Sequence, residues 1–172
     1  MITNHLMMKL LPVGVFYCVG CFIFKVKASE HNLARGFGDH IMWHTLDEAL
    51  VEAKSSSQPI MLVIHKSWCG ACKALKPKFS ESKEIAELSK SFVMVNLEDN
   101  EEPKGGTYAP DGGYIPRILF LNSEGEVQTE LYNQNGNPQY KYFYSDADSI
   151  ATMMRKVISE LPTRPKFPSD EL

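Results

Sequence analysis

The chain is predicted to form an α/β fold, a mixed central β-sheet flanked by helices. Three observations carry this. Two short apolar runs, Ile60–Ile64 and Phe92–Leu97, bracket an amphipathic helical pattern, which is a β-α-β unit. Two further runs, Arg117–Leu121 and Glu126–Leu131, flank the turn residues Ser123-Glu124-Gly125 and precede a last helical stripe, which is a β-β-α unit. A capping signature at Thr45 opens one extra helix before both. The β-α-β unit requires a right-handed crossover and parallel strands. The second unit adds an antiparallel hairpin to the same sheet.

Taken in order, the elements have local reasons. In Thr45-Leu46-Asp47-Glu48 the threonine is an N-cap and Glu48 stands at the third helical position, a capping box. Leu46, Ala49, Leu50 and Ala53 follow at helical spacing, and the helix should end in Ser55–Ser57. Pro59 introduces the strand Ile60–Ile64, whose uninterrupted apolar character suits burial on both faces. The second helix opens in Ser67-Trp68-Cys69-Gly70-Ala71-Cys72. Leu75, Phe79, Ile85 and Leu88 mark its buried side, and Pro77 should kink it. After Phe92–Leu97, the acidic run Glu98–Glu102 reads as a solvated loop. Gly105–Tyr114, with four glycines and Pro110, is loop by composition. Asn133–Tyr144 is rich in Asn and Tyr and carries no clear element signal. Its tyrosines are expected to pack against the sheet. Ser145-Asp146-Ala147-Asp148 caps a final helix with the stripe Ile150, Met153, Met154, Val157, Ile158 and Leu161.

The two ends read as addresses. Lys9 precedes an apolar run of 15 residues, Leu10–Phe24, broken by Pro12, Gly14 and Gly20. A spanning helix needs roughly 20 residues. Val26 and Ala28 fit the small-residue positions of a cleavage site, so residues 1–28 are expected to be a secretory signal peptide and the mature chain to have no membrane span. At the other end, Ser169-Asp170-Glu171-Leu172 resembles the tetrapeptide read by the retrieval receptor of the endoplasmic reticulum, with Ser at its first position. The tail 162–172 holds three prolines and should be extended and exposed. Between these ends, residues 29–161 form one domain. The net charge of −3 and sequence pI of about 6.0 give no basic surface for nucleic acid. A monomer is expected.

The four cysteines form two C-x-x-C spacings, Cys18/Cys21 and Cys69/Cys72. The first lies in the apolar leader, where cysteine acts as a small hydrophobe. The mature chain therefore keeps one local pair. Cys69 begins a helix, where free N–H groups and the macrodipole favour an anion. It is the expected nucleophile, and Cys72, one turn inside and more buried, is the expected resolving thiol. Lys66 and Lys73 either raise the local potential or simply face solvent. A zinc site needs four ligands, and His31, His40, His44 and His65 are not at ligand spacing. No metal is expected. A disulfide across so short a loop gains little entropy from closure, which argues against an inert staple.

A strand, then Trp68-Cys69-Gly70-Ala71-Cys72, then a helix carrying Pro77 resembles the thioredoxin family. Ile115-Pro116 before a strand resembles that family's cis-proline, which binds substrate backbone beside the cysteines. Longer stretches resemble the small reticulum-resident members related to the anterior gradient proteins. These are Gly36-Phe37-Gly38-Asp39-His40, His65 to Lys73, Pro110 to Arg117 and Lys141-Tyr142-Phe143-Tyr144. The resemblance implies a thioredoxin fold and a glutathione-linked protein-disulfide reductase of the reticulum lumen. It implies Cys69 and Cys72 as catalytic residues, with Trp68, Ile115 and Pro116 as substrate-binding residues. Glutathione and cysteine-containing secretory clients are the implied partners. No cofactor beyond the redox-active Cys69–Cys72 disulfide is implied. The alternative is a client-binding maturation factor that contacts its clients through Tyr140–Tyr144 or the Gly105–Tyr114 loop. In two respects the sequence departs from the family. The residues between the cysteines are Gly70 and Ala71, unlike the Gly-Pro or Gly-His pairs of other members. Many members place a buried carboxylate six residues before the first cysteine, to take the proton of the resolving thiol, and here that residue is Val63.

Overall fold

Thr45 caps the first helix as its sequence requires. Its hydroxyl accepts from the Glu48 N–H at 3.4 Å, and the Glu48 carboxylate accepts from the Thr45 N–H at 3.0 Å. The computed structural model describes residues 32–161. The expected leader, with Cys18 and Cys21, and the expected retrieval signal, Ser169, Asp170, Glu171 and Leu172, lie outside the described residues.

The elements run β1 Trp43–His44, α1 Leu46–Ser56, β2 Ile60–His65, α2 Gly70–Ser80, α3 Lys83–Leu88, β3 Val93–Glu98, β4 Arg117–Leu121 and α4 Ala147–Glu160. The strands form one mixed sheet in the order β1-β3-β2-β4. β3 runs parallel to both β1 and β2, while β4 pairs antiparallel to β2 with Val63 opposite Ile118. Side chains alternate across a strand, and this splits the core into two layers. Met61, Val63, Met94, Ile118 and Phe120 pack with Leu75, Phe79, Ile85 and the stripe of α4. Ile60, Leu62, Ile64, Val95 and Leu119 pack with Ala49 and Ala53 of α1 and with Tyr108 and Tyr142. Helices thus cover both faces of a thioredoxin fold, as the element order predicts.

Four local readings change. β1 is a two-residue edge strand, too short to carry a period in the sequence; it exists because it pairs with Met94 and Val95. The helix after the cysteines does not run kinked to Leu88. It stops at Glu81, and Ser82 starts α3 by accepting from the Ile85 N–H at 3.2 Å. The hairpin partner Glu126–Leu131 is reduced to one bridge, Leu121 to Val127. The Leu131 N–H turns back to Gln128 O at 3.0 Å, which buries the Leu131 side chain in the core. Finally, Glu98–Glu102 is not a solvated loop. Glu98 pairs with Lys76, Glu101 with Arg35 and Glu102 with Arg117, and Asp99–Glu101 forms a 3₁₀ turn. Cations on neighbouring elements hold the acidic run against the body of the domain.

Candidate active site

The turn between β2 and α2 delivers the cysteines. It is held from behind by Asp99: its carboxylate accepts from the Ser67 N–H at 2.9 Å, and its carbonyl accepts from Lys66 Nζ. The Ser67 N–H keeps the Asp99 carboxyl below the usual carboxylate range. Cys69 occupies the N-cap of α2 with extended backbone, and its Sγ accepts from the Cys72 N–H at 3.2 Å. This places the sulfur where the orphan amides of a helix start converge. Cys69 keeps 8% exposure and Cys72 none, and both are free thiols. Burial pushes the Cys72 thiol up to about 12, reinforced by its hydrogen bond to Cys69. Cys69 Sγ thus lies at the helix start with a little exposure, and the Cys72 thiol lies fully buried one turn inside.

Ile115-Pro116 comes to the same place, from the other half of the chain. The peptide bond is cis, and Ile115 O lies 4.0 Å from Cys69 Sγ. Trp68 stands 72% exposed at the rim. The structure thus brings Trp68, Cys69, Cys72, Ile115 and Pro116 together. Lys73 faces solvent, whereas Lys66 is engaged with Asp99.

Several supporting residues escaped the sequence reading. Arg117 follows the cis-proline and is fully buried. It donates to Tyr108 O at 3.2 Å, to Tyr114 O and to the Glu102 carboxylate. One guanidinium therefore fixes the loop that ends at Ile115. The Tyr114 hydroxyl donates to the Asp111 carboxylate at 2.7 Å and accepts from the Tyr142 N–H at 2.9 Å, which locks this loop to 133–144. Burial raises the Tyr114 phenol above its ordinary value. On the opposite face of the sheet, His65 is fully buried and meets Asn96 and Glu98. A histidine closing an otherwise apolar strand was the available signal for that cluster. Among the described residues, no three side chains converge as metal ligands. No helix there is long and apolar enough to cross a membrane.

Comparisons with known proteins agree with this frame. The thioredoxin-like family model matches residues 42–123. Anterior gradient protein 3 of Mus musculus is 32% identical over 160 residues, covering 92% of this chain and 96% of that protein. Anterior gradient protein 2 homolog of Homo sapiens is 36% identical over 133 residues, covering 77% and 75%. Among solved structures, a thioredoxin from Thermus thermophilus superposes with TM-score 0.51 at 16% identity, covering 72% of this chain and 91% of that one. The DsbH oxidoreductase gives TM-score 0.50 at 22% identity, covering 72% and 86%, and both show the shared fold. The chain belongs to the thioredoxin-like family and is a relative of the anterior gradient proteins.

Proposed function

We propose that the chain is a glutathione-linked thiol–disulfide oxidoreductase of the protein-disulfide reductase type, acting on secretory proteins in the lumen of the endoplasmic reticulum. The observation that carries this reading is the pair itself. A free thiol that keeps 8% exposure sits at a helix N-terminus, 4.0 Å from Ile115 O beside the cis-proline, with a second free thiol fully buried one turn behind it.

On this reading exchange proceeds in two displacements. Cys69 Sγ attacks a client disulfide, forms a mixed disulfide and releases one client thiolate. Cys72 Sγ then attacks Cys69 Sγ, closes the Cys69–Cys72 disulfide and releases the second client thiol. The client gains two electrons and the pair loses them; two glutathione molecules return the pair to the dithiol and leave as glutathione disulfide. Ile115 O accepts a backbone N–H of an extended client segment, and the exposed Trp68 covers its side chains. The sequence supports the compartment through its leader and its C-terminal tetrapeptide.

The test uses serine variants. Wild-type protein is expected to reduce a peptide disulfide in the presence of glutathione, and Cys69→Ser to lose this entirely. Cys72→Ser should accumulate a mixed disulfide through Cys69. A wild-type rate equal to that of a simple monothiol would refute the reading. A second reading, a client-binding maturation factor, is favoured by the exposed Trp68 and by Tyr140, 44% exposed and packed edge-to-face with Tyr114 at 4.9 Å. On that reading the Cys69→Ser/Cys72→Ser double variant still binds clients and Tyr140→Ser does not.

A further inference from the structure

A resolving thiol held up to about 12 needs a group to take its proton, and Val63 cannot. Val63 is buried in the apolar layer beneath α2, and its partner across the ladder on β3 is Asn96. Two residues further along the same face of β2 stands His65. Its ring lies 4.9 Å from Phe37, and Phe37 lies 5.4 Å from Phe79 of α2.

The hydrogen bonds around His65 fix its tautomer. Both Asn96 Nδ2 hydrogens are used, in bonds to Leu33 O at 3.1 Å and Ala34 O at 2.8 Å. The atom facing His65 Nε2 at 2.7 Å is therefore Asn96 Oδ1, which only accepts. Nε2 must carry the hydrogen, and the lone pair of the neutral ring is on Nδ1. Nδ1 is buried and has no hydrogen-bond partner among the described residues. Its neighbour is Glu98 Oε1, at 3.6 Å. A lone pair and a carboxylate oxygen face each other there, which is a place prepared for one proton. Lys76 Nζ holds the same Glu98 oxygen at 3.3 Å, and Lys76 follows Cys72 by one helical turn, a spacing of about 6 Å along one helix face.

We propose that His65, backed by Glu98, is the proton acceptor that serves Cys72 during resolution, in place of the carboxylate that Val63 displaces. The inference rests on the exchange reaction proposed above. As Cys72 Sγ bonds to Cys69 Sγ, its proton moves to the His65–Glu98 pair while the electrons of the S–S bond to the client leave with the client sulfur. The proton then reaches solvent through Glu98, which is partly exposed, and the client thiolate takes up an equivalent one. Transfer is concerted with bond formation, so the acidity of the resting thiol is not the barrier. The charged groups facing the ring are Lys76 from α2, Glu98 from β3 and Arg35 from the segment before β1. Burial first, and then Lys76, hold the imidazole at about 4, so that its lone pair is free at neutral pH.

Stopped-flow reaction with dithiobis(nitrobenzoate) tests this, because attack by Cys69 releases one coloured thiolate and resolution by Cys72 releases the other. His65→Gln keeps a donor for Asn96 but loses the Nδ1 lone pair. It is expected to leave the first phase within about twofold of wild type and to slow the second roughly 100-fold near neutral pH. The deficit should close as pH rises and hydroxide takes over. Glu98→Gln should slow the second phase in the same sense, and Val63→Asp added to His65→Gln should restore it. A folded His65→Gln protein whose second phase matches wild type at every pH overturns the proposal. If His65→Gln does not fold, an unchanged second phase in Glu98→Gln overturns it instead. Absence of both phases in wild type overturns the exchange reading itself, and this inference with it.

Discussion

His65 makes the stability of the domain sensitive to acid, in a way that can be worked out from its surroundings. In the folded chain burial and Lys76 bring its pKa from 6.5 to about 4. The unfolded chain therefore binds a proton on this residue over a pH range where the folded one does not. A depressed histidine stabilises the fold fully above 6.5, and that contribution falls as the pH drops toward 4. At about 1.4 kcal/mol per tenfold in proton affinity, the gap amounts to roughly 3 kcal/mol lost at and below a pH of about 4. The carboxyls of Glu48, Asp99 and Asp146, each lowered by backbone N–H donors, lose their contributions at the acid end as well. The histidine is isolated by difference. Urea unfolding of wild type and His65→Gln at a series of pH values should give curves with a steady gap above pH 6.5 that narrows as the pH falls toward 4. Parallel curves across that range would refute the reasoning.

Other substitutions probe the supports of the site. Arg117→Met should cost about 3 kcal/mol, because two loop carbonyls and Glu102 lose their partner. It should also slow mixed-disulfide formation by Cys69, read by denaturant unfolding and by the first phase of the stopped-flow trace. Thr45→Ala removes the capping box of α1 and should lower stability by about 1 kcal/mol with no change in exchange rate, read by the same two measurements.

What was legible in the sequence was what neighbours in the chain determine. The capping box at Thr45, the buried run of β2 and the stripe of α4 depend on local spacing and appear where the pattern places them. The site was legible in part for the same reason, since Trp68, Cys69 and Cys72 are adjacent in sequence. Ile115 and Pro116 came only from family resemblance, because nothing local says that this carbonyl will meet Cys69. The rest depends on distant partners. β1 exists only through pairing with β3, and Glu126–Leu131 gave up its ladder when Leu131 turned into the core. Nothing local marks Arg117 as buried, because the groups that surround it, Tyr108, Tyr114 and Glu102, meet it only in the fold. Glu98–Glu102 misled for the same reason: its cations, Lys76, Arg35 and Arg117, come from three separate parts of the chain. Tyr142 and Tyr144 did pack inward, while Tyr140 remained outside.

The most direct test of the Cys69–Cys72 pair as a redox centre is equilibration of the wild-type protein in glutathione buffers of stepped potential, with each thiol state trapped by acid and counted by mass spectrometry. A working exchange pair passes from dithiol to intramolecular disulfide in one two-electron transition, spanning about 30 mV per tenfold change in the ratio. A pair that stays reduced throughout, or that collects glutathione on Cys69 without ever closing onto Cys72, would contradict it.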